Sequence, residues 1–116
     1  MQMHLGHIEM FVQDPLASRE FYQNILGFEV VAVQGRHVWL KLGAVEVLLR
    51  PGIGSTARDY GSAATALVLY TDDFATTASR LKERGLVFAG TDGSDKCLTF
   101  RDPDGHWFQL VNPNDH

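Results

Sequence analysis

At 116 residues, with a net charge of −4 and 45% hydrophobic against 21% charged residues, the chain has the size of one compact globular domain, or of two small halves sharing a core. No basic stripe is present, which argues against nucleic acid or an anionic membrane as partner, and the apolar runs are too short to span a bilayer. "MQMHLGHIEM" lacks the basic start and apolar core of a signal peptide, and the single Cys97 excludes an internal disulfide and suits a reducing, cytoplasmic setting.

Residues 7–12 alternate, with Ile8, Met10 and Val12 on one face and His7, Glu9 and Phe11 on the other, the period of a half-buried strand. Asp14-Pro15 then opens a helix, with Asp14 as N-cap and Pro15 at the first helical position. "PLASREFYQNIL" supplies its apolar face through Leu16, Phe21, Tyr22, Ile25 and Leu26, and Gly27 closes it. Strands are expected at 28–33, 37–42 and 45–50, separated by the turns "QGR" and "LGA". Residues 51–63, "PGIGSTARDYGSA", have no periodicity and read as a linker; their glycines follow no strand–turn–helix arrangement that would cradle a phosphate.

The same order of elements then returns. A strand at 66–71 leads to Asp72-Asp73, which cap a helix through "FATTASRLKERG" closed by Gly85. Strands at 86–88, 96–101 and 106–111 follow, and "NPNDH" forms a polar tail. Capping aspartates and closing glycines recur at an offset of 58 residues, Asp14 to Asp72 and Gly27 to Gly85. A repeat of this length is one supersecondary unit, here β-α-β-β-β, used twice: module one at 1–50, the linker at 51–63 and module two at 64–116.

One sheet face of each module packs on its helix: Ile8, Met10, Val12, Val45, Val47 and Leu49, then Leu67, Leu69, Phe108 and Leu110. The opposite set mixes polar groups with large apolar ones: His7, Glu9, Phe11, Glu46, Leu48 and Arg50, then Ala66, Val68, Tyr70, Trp107, Gln109 and Val111. Such a mixture suits a lined pocket better than a solvated face. Cys97 is expected to be a small buried thiol, and no GxSxG, CxxC or HExxH pattern occurs.

"HIEMFVQDPLASREFYQNILGFEVV" resembles the opening module of the glyoxalase, bleomycin-resistance and extradiol-dioxygenase (vicinal oxygen chelate) superfamily, and "RDPDGHWFQLVNP" resembles its closing strand. The resemblance implies an α+β fold in which two β-α-β-β-β modules form a cupped mixed sheet, a homodimer, and a small-molecule pocket between modules. It also implies a divalent metal (Ni, Co, Mn, Fe or Zn) held from four strand positions. Here those positions carry His7, Glu46, Ala66 and Gln109, so a methyl stands where His is usual and an amide where Glu is usual. The metal ligands would then be His7, Glu46 and Gln109, with His7 and Glu46 as the catalytic pair and Glu9 able to add a carboxylate.

Two functions follow. The first is a binding module that traps a small organic ligand, with Glu9, Phe11, Trp39, Arg50, Tyr70 and Trp107 lining the site. The second is a metal-dependent lyase, isomerase or dioxygenase acting on vicinal oxygens. Without a metal, His7 is expected to hydrogen-bond Glu46 or Gln109, and Glu46 to pair with Arg50.

Overall fold

The computed structural model describes residues 1–115, so the last residue of the expected polar tail, His116, lies outside the described residues. The chain is an α+β protein with two small mixed sheets and few helices, and it divides into two compact units after Gly54. Among the described residues, no helix is long and apolar enough to cross a membrane.

The first unit runs β1 (Ile8–Val12), α1 (Pro15–Glu20), a π-helical turn (Phe21–Ile25), β2 (Glu29–Gln34), β3 (His37–Leu42) and β4 (Val45–Pro51). Strand order is β1-β4-β3-β2, with β1 parallel to β4 and the other pairs antiparallel. Asp14 caps α1 as expected, its carboxylate accepting from the N–H groups of Leu16 (3.2 Å) and Ala17 (3.4 Å), and Gly27 closes the segment at φ 81°. The register Ile8 to Val47 and Met10 to Leu49 brings Met10, Val12, Val38, Leu40, Val47 and Leu49 onto one buried face, and α1 packs on β3 and β4. Each such side chain, fully buried, contributes about 1.5–3 kcal/mol.

The helix itself departs from the expected regular coil. The Leu26 N–H bonds to the Phe21 carbonyl five residues back (3.2 Å), and Phe28 N–H to Tyr22 (2.8 Å). This wide turn lets the neighbours Phe21 and Tyr22 both point inward, which regular α geometry, at 100° per residue, opposes. Tyr22 is fully buried, its hydroxyl donating to the Met10 sulfur at 3.6 Å and its ring edge-on to Phe21 and Phe28. In exchange Leu16, expected inside, is exposed, and Pro15 and Ser18 take the inner positions.

The second unit runs β5 (Leu67–Tyr70), α2 (Phe74–Glu83), β6 (Cys97–Arg101) and β7 (Trp107–Val111), with strand order β5-β7-β6; β5 is parallel to β7 and β6 antiparallel to it. Asp73, the second of the two aspartates, is the N-cap, accepting from Thr76 N–H at 3.3 Å, and Gly85 ends the segment at φ 103°. The core is built on Phe100 and Phe108, both fully buried and stacked 5.1 Å apart, with Leu110 from β7 and Ala78 and Leu81 from α2.

The strand expected at 86–88 does not form. Leu86 gives its N–H to the Leu81 carbonyl (2.9 Å), closing the helix, and only past Phe88 does the backbone reach β6: Ala89 N–H bonds to Thr99 O at 2.8 Å, and Thr99 N–H to Gly90 O at 3.0 Å. Leu86 and Phe88 are held by side-chain packing instead, Leu86 buried and Phe88 edge-on to Phe100. The stretch expected as a linker is also partly ordered. Residues 60–62 form a 3₁₀ turn capped by Asp59, which accepts from Ser62 N–H at 2.9 Å, and Ser55 N–H bonds to Asp104 O at 3.0 Å.

Candidate functional site

On the outer face of the first sheet the register sets Glu9 beside Leu48, Leu48 beside Trp39, and Phe11 beside Arg50. Arg50 is therefore diagonal to Glu9 and reaches back to it, with Nη1 2.9 Å from Oε1. The second carboxylate oxygen of Glu9 lies 2.8 Å from His7 Nε2. The His7 hydrogen bond first, and the Arg50 hydrogen bond second, hold the Glu9 carboxyl below its ordinary pKa. Two aromatic rings frame this triad. His7 meets Trp39 edge-on at 4.8 Å, and the Arg50 guanidinium lies 5.3 Å from the centre of the Phe11 ring. Gly52 packs so closely on Phe11 that a Cβ there would lie 2.8 Å from the Phe11 Cβ.

Chemically, the triad is a carboxylate held between a guanidinium and an imidazole. Bonding through Nε2 leaves Nδ1 as the basic nitrogen of a neutral His7, so Glu9 also sets its tautomer. The expected partners differ: His7 bonds Glu9, not Glu46 or Gln109, and Arg50 pairs with Glu9, not Glu46. Glu46 lies across from Lys41 on β3 and is half-buried, so water can solvate its carboxylate; among the described residues it has no hydrogen-bonded or ion-paired partner.

The outer face of the second sheet is organised differently. Trp107 and Gln109 alternate onto it from β7 and are 4% and 2% exposed. The indole N–H of Trp107 donates to the Ala57 carbonyl at 3.0 Å, and the Tyr60 ring stands edge-on to the indole at 6.0 Å. Arg101 lies over the Trp107 ring at 5.3 Å. Gln109 Nε2 donates to the Tyr60 hydroxyl at 2.9 Å and to Asp92 Oδ2 at 3.0 Å. Its Oε1 is buried without a partner among the described residues. A carboxylate only accepts, so the amide must turn its nitrogen toward Asp92, and its oxygen is the atom left over. Tyr70, expected in the pocket lining, stands 68% exposed on the edge strand β5. Cys97 is a buried free thiol, as expected. Tyr60 and Asp92 were not legible as site residues; the one signal was an aromatic and an acidic residue among glycines and serines.

An open cleft of about 520 Å³ also lies on this unit, beside Ser55, Arg101, Asp102 and Gly105. Asp102 there is buried and accepts from the N–H groups of Asp104 (3.0 Å) and His106 (2.8 Å). Its carboxylate shapes the "DPDG" turn.

Among the described residues, no three or more His, Cys, Asp or Glu side chains gather where they could hold a metal ion. The reasons are local. His7 and Glu9 are bonded to each other with a guanidinium on the second oxygen, position 66 offers a methyl group, and Gln109 turns its nitrogen to its neighbours. In neither unit do these side chains gather the three donors that a resident divalent metal takes.

Residues 4–110 match the model of the Glyoxalase/Bleomycin resistance protein/Dioxygenase superfamily. The chain belongs to this superfamily. Solved members share its fold along nearly the whole length. TnmS3, an antibiotic binding protein from Streptomyces sp. CB03234, is 27% identical with a TM-score of 0.70, covering 97% of this chain and 99% of that one. The fosfomycin resistance protein FosX from Listeria monocytogenes, complexed with Mn(II) and sulfate, is 21% identical with a TM-score of 0.75, covering 97% and 91%. Lactoylglutathione lyase from Agrobacterium tumefaciens is 17% identical with a TM-score of 0.72, covering 97% and 95%. No curated protein matches the sequence. Superfamily membership thus fits a binding protein and an enzyme equally well, and the side chains must decide between them.

Proposed function

We propose that this chain is a metal-independent binding module of the superfamily that captures a small, planar organic ligand. The observation that carries the reading is the donor set: two usual ligand positions hold Ala66 and Gln109, and the His7 imidazole is bonded to Glu9. In the first unit Phe11 and Trp39 supply apolar and stacking surface, with Arg50, Glu9 and His7 as the few polar groups that orient a ligand, the balance found in small-molecule sites, and in the second Trp107 and Gln109 form a further, covered surface. The 27% identity to an antibiotic-binding protein supports the same reading. The module works as a cytoplasmic homodimer on this proposal, consistent with a free thiol and with exposed Val31, Val33 and Val68; light scattering at micromolar concentration should return twice the 12.9 kDa chain mass.

The test is a thermal-shift screen against planar drugs and metabolites, run beside elemental analysis after metal soaking and desalting. At least one ligand should raise Tm with concentration while retained metal stays sub-stoichiometric. Stoichiometric Ni, Co, Mn, Fe or Zn with a flat ligand response would overturn it.

A second reading rests on the His7–Glu9 pair. A tautomer-fixed imidazole backed by a carboxylate is a general-base arrangement, and it would remove a proton from a carbon or hydroxyl of the bound molecule. Chemical change of a library hit, abolished by His7→Gln, would establish it in place of simple capture.

A further inference from the structure

We propose that Tyr60 is a tethered stand-in for the ligand: its phenol occupies a site for aryl hydroxyl compounds made by Trp107 and Gln109, and residues 55–62 form a displaceable strap over it. The inference rests on the binding-module reading above and names the ligand class of one of its surfaces. Three observations carry it. The Tyr60 ring meets the Trp107 indole edge-on, at 6.0 Å and 88°, one of the favoured aromatic geometries for a free arene. Its hydroxyl takes a 2.9 Å hydrogen bond from the Gln109 amide, the contact a ligand phenol would make. The amide is 2% exposed, yet its Oε1 has no partner among the described residues. A buried acceptor without a partner calls for a donor that the chain does not supply there, and the hydroxyl of an entering phenol is such a donor.

The strap is also built to detach. Among the described residues it forms no ladder with β7, and it is tied by Ser55 N–H on Asp104 O, the Trp107 indole on Ala57 O and the Gln109 amide on Tyr60, with Ser55 packed on Gly105. Segments held this way open locally without global unfolding. A ligand entering from solution competes with the tethered phenol, so its apparent affinity is lowered by the fraction of molecules with the strap closed.

The probe is p-cresol, the tyrosine side chain as a free molecule, with toluene as the control lacking the hydroxyl. Readouts are amide exchange of residues 55–62 and the Trp107 indole N–H resonance, assigned with Trp39→Phe. In the wild type, p-cresol should speed exchange across 55–62 and shift the indole signal, and toluene should do so more weakly. Tyr60→Ala should bind p-cresol about tenfold more tightly than the wild type. If that variant does not fold, Tyr60→Phe keeps the ring and should raise p-cresol affinity about fivefold through loss of the Gln109 bond. Unchanged exchange in the wild type, at p-cresol concentrations that saturate the variant, overturns the proposal, as does equal affinity of wild type and Tyr60→Phe. A library compound that stabilises the wild type with strap exchange unchanged removes this inference and leaves the binding module standing. Stoichiometric metal capture with p-cresol still opening the strap does the reverse.

Discussion

The two units begin with the same grammar, an aspartate cap, a helix and a closing glycine, yet treat the outer faces of their sheets in opposite ways. In the first, His7, Glu9 and Arg50 sit at roughly a third to two-fifths side-chain exposure, and His7 and Arg50 each pair with Glu9. In the second, Gln109 and Trp107 are buried, and their N–H donors are met by the chain's own segments at Ala57, Tyr60 and Asp92, while Gln109 Oε1 is left without a partner among the described residues. The difference teaches that a polar residue on a sheet face has two stable outcomes. It keeps water and takes a charged neighbour at small energetic consequence, or it loses water and must be supplied with partners, because each unmet buried group costs about 1–3 kcal/mol.

Substitutions in each unit test that contrast. The largest effect is expected in the second core. Phe108→Ala removes a fully buried ring stacked on Phe100 and should cost about 3–5 kcal/mol in urea denaturation. Next is Gln109→Glu, which sets a buried carboxylate against that of the exposed Asp92. It should cost about 2–3 kcal/mol at neutral pH. The new carboxyl has its pKa raised in the folded state, so the variant should match the wild type most closely below the ordinary carboxylate range and lose stability as pH rises through the folded value. Added Mn²⁺ should not restore it; restoration would mean that a metal site had been one atom from completion.

Asp14→Ala and Asp73→Ala compare equivalent caps, one accepting from two N–H groups and the other from one. Each should cost about 1 kcal/mol, with Asp14 the larger, read from paired denaturation curves. Smallest is Glu9→Gln. The Glu9 pKa is lowered in the folded state, so its contribution is fully present above the ordinary carboxylate range and is lost as pH falls through the folded value. The variant's Tm should lie slightly below the wild type's at neutral pH, and the gap should close in acid. A gap that widens in acid would remove the triad from the account.

What the sequence made legible was local. Asp14-Pro15 with Gly27 and Asp73 with Gly85 bracket their helices through bonds made within a few residues, and alternation alone put His7, Glu9 and Phe11 on one face and Met10 and Val12 on the other. Pairing across strands was not legible. Nothing within the strand at 45–50 says that Arg50 falls beside Phe11 and so reaches Glu9, leaving Glu46 to water; that depends on a register between segments some forty residues apart. The run at 86–88 is apolar and β-prone enough for a strand, but its backbone pairs with no neighbouring strand there. Tyr60 was hidden because a residue held by tertiary contacts in an aperiodic stretch carries no period to read.

The wide turn at Phe21–Ile25 has an engineering consequence. It stores one residue beyond the number that ordinary helical pitch needs, so trimming a single position there is not a neutral shortening. Regularised coil would swing Pro15–Glu20 about its axis by about 100° per residue removed. That would turn Ser18 toward water and drive Leu16 against the sheet. Length variation in this protein should therefore be tolerated in the hairpin at Gly35 and resisted at Tyr22.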